Sequence, residues 1–167
     1  TLEDVRGEIS VDHVTFAYET DLDVLEDVSL QIKAGETVAI VGPSGGGKTT
    51  LCQLVPRFYD VQEGAIRLDG HDVREVTQQS LRRSIGIVQQ DVFLFAGSIL
   101  DNIRYGKPDA TMDEVIEAAK LAEIHEDIMR MPSGYDTLVG ERGIMLSGGQ
   151  KQRVSIARIF LKNPRVL

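Results

Sequence analysis

Thr37-Val38-Ala39-Ile40-Val41-Gly42-Pro43-Ser44-Gly45-Gly46-Gly47-Lys48-Thr49-Thr50 joins a near-continuous apolar run to a glycine-rich loop and then to a helical pattern. The run reads as a strand buried on both faces, and Leu51, Leu54 and Val55 carry core spacing along a helix that reaches about Arg57. From Gly42 the loop follows the pattern of a glycine, four residues, then Gly-Lys-Thr, in the strand-loop-helix setting that gives the pattern its meaning. Glycines let the backbone turn its amides inward at angles costly to a residue with a β-carbon, and they leave room for an anion to approach. With Gly42 and Ser44 in the loop, the amides of Gly45, Gly46, Gly47, Lys48, Thr49 and Thr50 are expected to cradle the α and β phosphates of a nucleotide at the positive end of the helix. Lys48 can reach the β and γ phosphates as a point charge, and the Thr49 hydroxyl can ligate a magnesium ion bridging them. The plain alternative is a glycine turn with a solvated lysine, against which the flanking strand and helix count. The loop alone specifies neither the nucleotide nor the fate of its phosphate.

Upstream, Ile9, Val11, Val14, Phe16 and Tyr18 alternate as a half-buried strand with a one-residue irregularity near Asp12-His13, and a second strand runs from about Leu25 to Ile32 before a turn at Ala34-Gly35-Glu36. Downstream, Glu63-Gly64 reads as a turn into a strand from Ala65 to Leu68, which Asp69-Gly70 closes. Ser80 to Arg83 reads as a short helix and Ile85 to Val88 as a further buried strand. From Asp91 the strand signals stop, and Thr111-Met112-Asp113-Glu114 opens an amphipathic helix as a capping box, with Met112, Val115, Ile116 and Ala119 on its apolar face. The predicted architecture is α/β. Residues 1–90 form the β subdomain and phosphate-loop core, 91–155 a mainly helical insertion, and 156–167 a return to the core.

With 167 residues, 42% of them hydrophobic and 26% charged, the chain suits one globular domain. A net charge of -8 and a pI near 4.9 argue against a surface built to bind nucleic acid. The one cysteine, Cys52, permits no internal disulfide and reads as a small buried residue on a helix. No stretch approaches the ~18 to 20 apolar residues that span a bilayer. The start at Thr1 without a methionine reads as that of a fragment.

Leu146-Ser147-Gly148-Gly149-Gln150 gathers amides and a hydroxyl at the start of another helix, a second anion site. In company with the first loop this segment resembles the signature of ATP-binding cassette (ABC) transporters, and the resemblance runs from about Ile9 to Leu167. Arg57-Phe58-Tyr59-Asp60, Asp91-Val92-Phe93-Leu94-Phe95, Asp101-Asn102-Ile103-Arg104-Tyr105-Gly106 and Val139-Gly140-Glu141-Arg142-Gly143 look most like the exporter branch. That resemblance implies a P-loop NTPase core with an N-terminal antiparallel β subdomain and an inserted helical subdomain, with ATP and Mg2+ as ligands. Tyr18 falls where the family stacks an aromatic on adenine; a core tyrosine at a strand end is the plainer reading. Gln90, with Gln89 as its adjacent competitor, resembles the glutamine that touches magnesium and the attacking water. Glu141 and Arg142 match a segment thought to relay state to the membrane domains, and are otherwise an ordinary charged pair. In the family two such domains pack head to tail, so Ser147, Gly149 and Gln150 act on the neighbour's ATP. Lys48, Gln90 and Ser147 are then the groups implied at the chemistry.

Phosphoryl transfer to water also needs carboxylates, which in this family end a buried apolar strand. No run of four apolar residues followed by an acid occurs in the chain, and Pro164-Arg165-Val166-Leu167 looks like the first residues of such a strand. The sequence therefore reads as a partial record of an ordinary domain, or else as a deliberate truncation, that binds ATP without efficient hydrolysis. His13, His71 and His125 are expected in bland surface or turn roles. The implied setting is the cytoplasmic face of a membrane, alongside a second nucleotide-binding domain and the transmembrane domains of one transporter, with no nucleic acid. The alternatives are a cassette clamp acting on DNA or ribosomes, and a non-catalytic nucleotide-binding module.

Overall fold

In the computed structural model, which describes residues 1–19, 22–140 and 144–167, the opening alternation becomes strand β1 (Ile9–Phe16) with Ile9, Val11, Val14 and Phe16 buried. The apolar positions change phase between Val11 and Val14, and a bulge absorbs the extra residue. His13 takes a left-handed backbone (φ 47°), and the pairing of β1 with both neighbours is interrupted there. Those neighbours are β2 (Leu25–Ile32) and β3 (Glu63–Leu68), each antiparallel to β1. The bulge explains Gly64, which lies inside β3 rather than in the turn expected before it. At φ +77°, a β-carbon on Gly64 would sit 2.3 Å from the carbonyl oxygens of both Asp12 and His13.

Asp69 and Gly70, at φ 50° and 80°, make the tight turn from β3 into β4 (His71–Asp72), completing a sheet of order β2-β1-β3-β4. Burial pushes the Asp69 carboxyl up, but the N–H groups of Glu8, Arg6 and Gly7 donate to it and together hold it below the usual carboxylate range. Helices α1 (Lys48–Leu54) and α2 (Gln78–Ser84) share the core of this sheet through Leu51, Leu54 and Leu81. Thr77 caps α2, accepting from the Ser80 N–H.

Four expectations for this region are corrected. Residues 37–41 form no strand: Val38 and Ile40 are about two-fifths exposed and Val41 is 87% exposed. Likewise Ile85–Val88 contributes only one parallel bridge, from Ile85 to Val166. A parallel strand needs ladder partners brought from far along the chain, and among the described residues these segments find almost none. Helix α1 stops at Leu54, short of Arg57, because Pro56 has no N–H to donate and Arg57 turns left-handed at φ 57°. Cys52 is exposed: Thr50, Leu51 and Leu54 define the buried face of α1, and position 52 falls on the opposite side.

The chain divides after Ile85 into two compact units, with Gly86–Arg165 forming the second. Its helices are α3 (Ile99–Arg104), α4 (Met112–Leu121), α5 (His125–Met129) and α6 (Gly148–Lys162), packed around Ile99, Ile103, Val115, Ala119, Ile128 and Val154. The Thr111–Glu114 capping box forms as read, and Ser98–Asp101 makes another on α3. A two-residue ladder pairs β5 (Gly97–Ser98) with β6 (Leu138–Val139), elements too short to show any alternation in sequence. Arg158 of α6 donates to the Asn102 carbonyl (2.6 Å), to Asn102 Oδ1 (2.6 Å) and to the Phe93 carbonyl (3.0 Å), while Asn102 itself is buried and bonded to Phe95 and Ser98. Among the described residues no helix is long and apolar enough to cross a membrane.

Candidate nucleotide-binding site

The glycine loop closes on itself through the Gly46 N–H, which donates to the Pro43 carbonyl at 3.2 Å. Gly45 and Gly47 are left-handed at φ 82° and 76°, a conformation that turns successive amides to one side. Gly47 is also fixed by its surroundings: a β-carbon would lie 2.6 Å from Leu25 Cδ2 and 2.9 Å from the Val24 carbonyl oxygen. Gly47 is the N-cap of α1 and supplies no side chain, whereas Thr77, Ser98, Thr111 and Ser147 each accept from the first turn of their own helices. The first-turn amides of α1 are thus left to an acceptor from outside the helix.

Lys48 Nζ donates to the Gly42 carbonyl at 2.9 Å and the Pro43 carbonyl at 2.6 Å, so its ammonium lies across the loop it is expected to serve. Thr49 is exposed on the first turn, available to a cation, while its neighbour Thr50 is buried and its hydroxyl is committed to Tyr18. Among the described residues no group of three or more His, Cys, Asp or Glu side chains is placed to hold a metal ion. The exposed Thr49 hydroxyl is a hard oxygen donor of the kind a magnesium ion takes singly, alongside phosphates and water.

Tyr18 is joined to the same helix. Its hydroxyl is 3.0 Å from Thr50 Oγ1 and 3.0 Å from Gln53 Oε1, and its ring stands at right angles to Phe16 and Tyr59. The Gln62 side-chain amide pairs with both the N–H and the carbonyl of Ala17, at 3.0 and 2.7 Å, fixing the backbone just before Tyr18. Half-exposed, Tyr18 is more than a core tyrosine. Sequence reading missed Tyr59 and Gln62, because nothing local in Arg57-Phe58-Tyr59-Asp60 signals a distant ring.

In the second unit Gln90 is exposed at a bend, and Gln89 is exposed beside it. Ser147 caps α6 in a reciprocal box: its hydroxyl accepts from the Gln150 N–H at 3.2 Å, and Gln150 Oε1 accepts from the Ser147 N–H at 3.0 Å. The Ser-x-x-Gln spacing carried that signal. A β-carbon on Gly148 or Gly149 would meet nothing within 4 Å, and neither needs a left-handed backbone. Arg153, one turn further on, donates to the Glu123 carbonyl and to Asp127, bracing the start of α6. Glu141 and Arg142 lie outside the described residues. His13 pairs with Asp27 on the surface; His125 is partly buried and bonded at 2.8 Å to the hydroxyl of buried Tyr135, a tighter role than the bland surface or turn role expected of it. An open cavity of about 650 Å³ in this unit is lined by Phe93, Leu138, Ile144 and Met145, with Lys151 its one charged side chain among the described residues, a lining unlike a triphosphate site.

A family model described as ABC transporter matches residues 25–167. A multidrug export ATP-binding/permease protein of Bacillus subtilis is 57% identical over 166 residues, which cover 99% of this chain and 29% of that protein. One from Staphylococcus aureus is 56% identical over 167 residues, with the same coverage of each. Among solved structures, a bacterial Atm1-family ABC exporter with ATP bound superposes with a TM-score of 0.93 at 52% identity, over 98% of this chain and 29% of that one. The chain thus spans 29% of the length of these relatives. On the match to the family model and on these relatives, this chain belongs to the ABC transporter family.

Proposed function

We propose that this chain is the ATP-binding part of an exporter, working at the cytoplasmic face of a membrane and paired head to tail with a second nucleotide-binding domain. One contrast carries the reading. Gly47 is demanded by contacts within its own chain, whereas among the described residues nothing demands Gly148 or Gly149, each of which costs a helix up to about 1 kcal/mol relative to alanine. The first loop is a finished half-site; the second is bare in the way a surface approached by another molecule's phosphates must be. The names of the relatives support export over a clamp on DNA or ribosomes.

In this mechanism the amides from Gly45 to Thr50 take the phosphates, and Lys48 exchanges the Gly42 and Pro43 carbonyls for β and γ phosphate oxygens. Tyr18 stacks on the adenine. A magnesium ion held by Thr49 would neutralise charge on the phosphates. Ser147, Gly149 and Gln150 complete the partner's site, so the two domains hold together only while ATP bridges them. The transported substrate is chosen by the membrane domains.

Sedimentation of the chain with and without Mg·ATP tests the pairing. ATP is expected to drive dimer formation, and Gly149→Val to abolish the dimer while leaving ATP binding by the monomer intact. A Gly149→Val chain that loses ATP binding as a monomer would place the signature in its own site and refute the head-to-tail reading.

A further inference from the structure

Tyr18 is held from several sides. Its hydroxyl is tied to α1, and Phe16, 3% exposed, meets its ring at 86° with centroids 5.0 Å apart. Tyr59 meets the same ring at 87° and 5.1 Å, from a different part of the chain. Perpendicular pairs of this kind are favoured by the ring quadrupole, and two of them on one ring oppose rotation of its plane.

The segment that presents Tyr59 is itself heavily tied. Arg57, left-handed at φ 57°, spans the Asp60 carboxylate (2.6 and 3.3 Å) and the carbonyls of Val73 and Arg74 (3.4 and 3.2 Å). Arg82 donates to the carbonyls of Pro56 and Arg57 at 3.1 and 2.8 Å and lies over the Phe58 ring at 5.1 Å. Gln62, three positions on from Tyr59, clamps Ala17. Yet Tyr59 is 45% exposed, so this bracing serves a ring that is not a core residue.

We propose that Tyr59 is a positioning residue: standing at right angles to Tyr18, it holds that ring in the plane on which a purine base stacks, and so sets affinity for the base without touching the phosphates. This rests on the reading of Gly42–Thr50 as an ATP site. Neither ring alone carries the device; the right-angled pair does.

Calorimetric titration of the chain with Mg·ATP and, separately, with magnesium tripolyphosphate tests it. Tyr59→Ala is expected to weaken ATP binding about two- to tenfold, the worth of one aromatic pair, and to leave tripolyphosphate binding unchanged. Tyr59→Phe keeps wild-type affinity, since the ring and not the hydroxyl does the positioning. In a Tyr18→Ala background, Tyr59→Ala has no further effect. Unchanged ATP affinity in Tyr59→Ala overturns the proposal, as does an equal loss for both ligands, which would make Tyr59 a support of the whole loop. An additive loss in the Tyr18→Ala background also overturns it, in favour of direct contact with the base. A wild-type chain that binds neither ligand removes the ATP reading and this role with it, an outcome distinct from intact ATP binding that is indifferent to Tyr59.

Discussion

Gly47→Ala is the substitution whose cost the structure fixes most closely. The residue is left-handed at φ 76°, which costs a residue with a β-carbon about 1–2 kcal/mol. Its new methyl would press on Leu25 Cδ2 at 2.6 Å, a side-chain end that can swing aside, and on the Val24 carbonyl at 2.9 Å, which is backbone and cannot yield without moving β2. Overpacking of this kind costs about 1–3 kcal/mol, so the expected total is about 3 kcal/mol, or roughly 12–24 °C in the melting of the unit that holds the loop. Gly45→Ala is the internal control: its φ of 82° is as unfavourable, but a β-carbon there meets nothing within 4 Å, so only the smaller conformational cost applies. Thermal melts followed by circular dichroism, with Mg·ATP affinity measured on the same samples, read both effects. The clash at Val24 is refuted if Gly47→Ala melts within about 2 °C of Gly45→Ala.

Gly148→Ala is expected to raise the stability of α6 by up to about 1 kcal/mol, since among the described residues nothing lies within 4 Å of a β-carbon there, while weakening the proposed ATP-driven dimerisation; denaturant melts and sedimentation check the two halves, and a destabilised monomer contradicts the account. Arg158→Met should cost about 1–3 kcal/mol in urea unfolding, because it strips the donor from the part-buried Asn102 carbonyl, whereas the exposed Phe93 carbonyl can turn to water. Burial pushes the Tyr135 hydroxyl up to about 12. The folded value then lies above the unfolded one near 10, so this contribution is whole below pH 10 and is lost as pH rises through 12, where Tyr135→Phe should flatten the loss in thermal stability.

The features legible in the sequence were those whose cause is local. The glycine loop, the Thr111–Glu114 box and the Asp69-Gly70 turn each declare themselves within a few residues, and the β1 bulge is written in the phase jump from Val11 to Val14. What escaped depends on distant partners. Thr37–Val41 and Ile85–Val88 have strand composition, but composition supplies no hydrogen-bond ladder, and the described residues provide little beyond the Ile85–Val166 bridge. Tyr59 and Gln62 reach Tyr18 and Ala17 across most of the first unit, and Arg158 looks in sequence like any base on an amphipathic helix. Cys52 was misjudged by type: its phase on α1, opposite Leu51 and Leu54, sends it to the surface.

The central claim is that Gly42–Thr50 holds the triphosphate of ATP, with Lys48 and Thr49 acting on the phosphates and their magnesium. Calorimetric titration of the chain with ATP, with and without magnesium and in the Lys48→Ala variant, tests it most directly. The account predicts one magnesium-dependent site whose affinity falls at least about tenfold on losing the Lys48 charge, the scale of one charge-assisted contact at about 1.5–3 kcal/mol. ATP binding of equal strength in wild type and Lys48→Ala would contradict it.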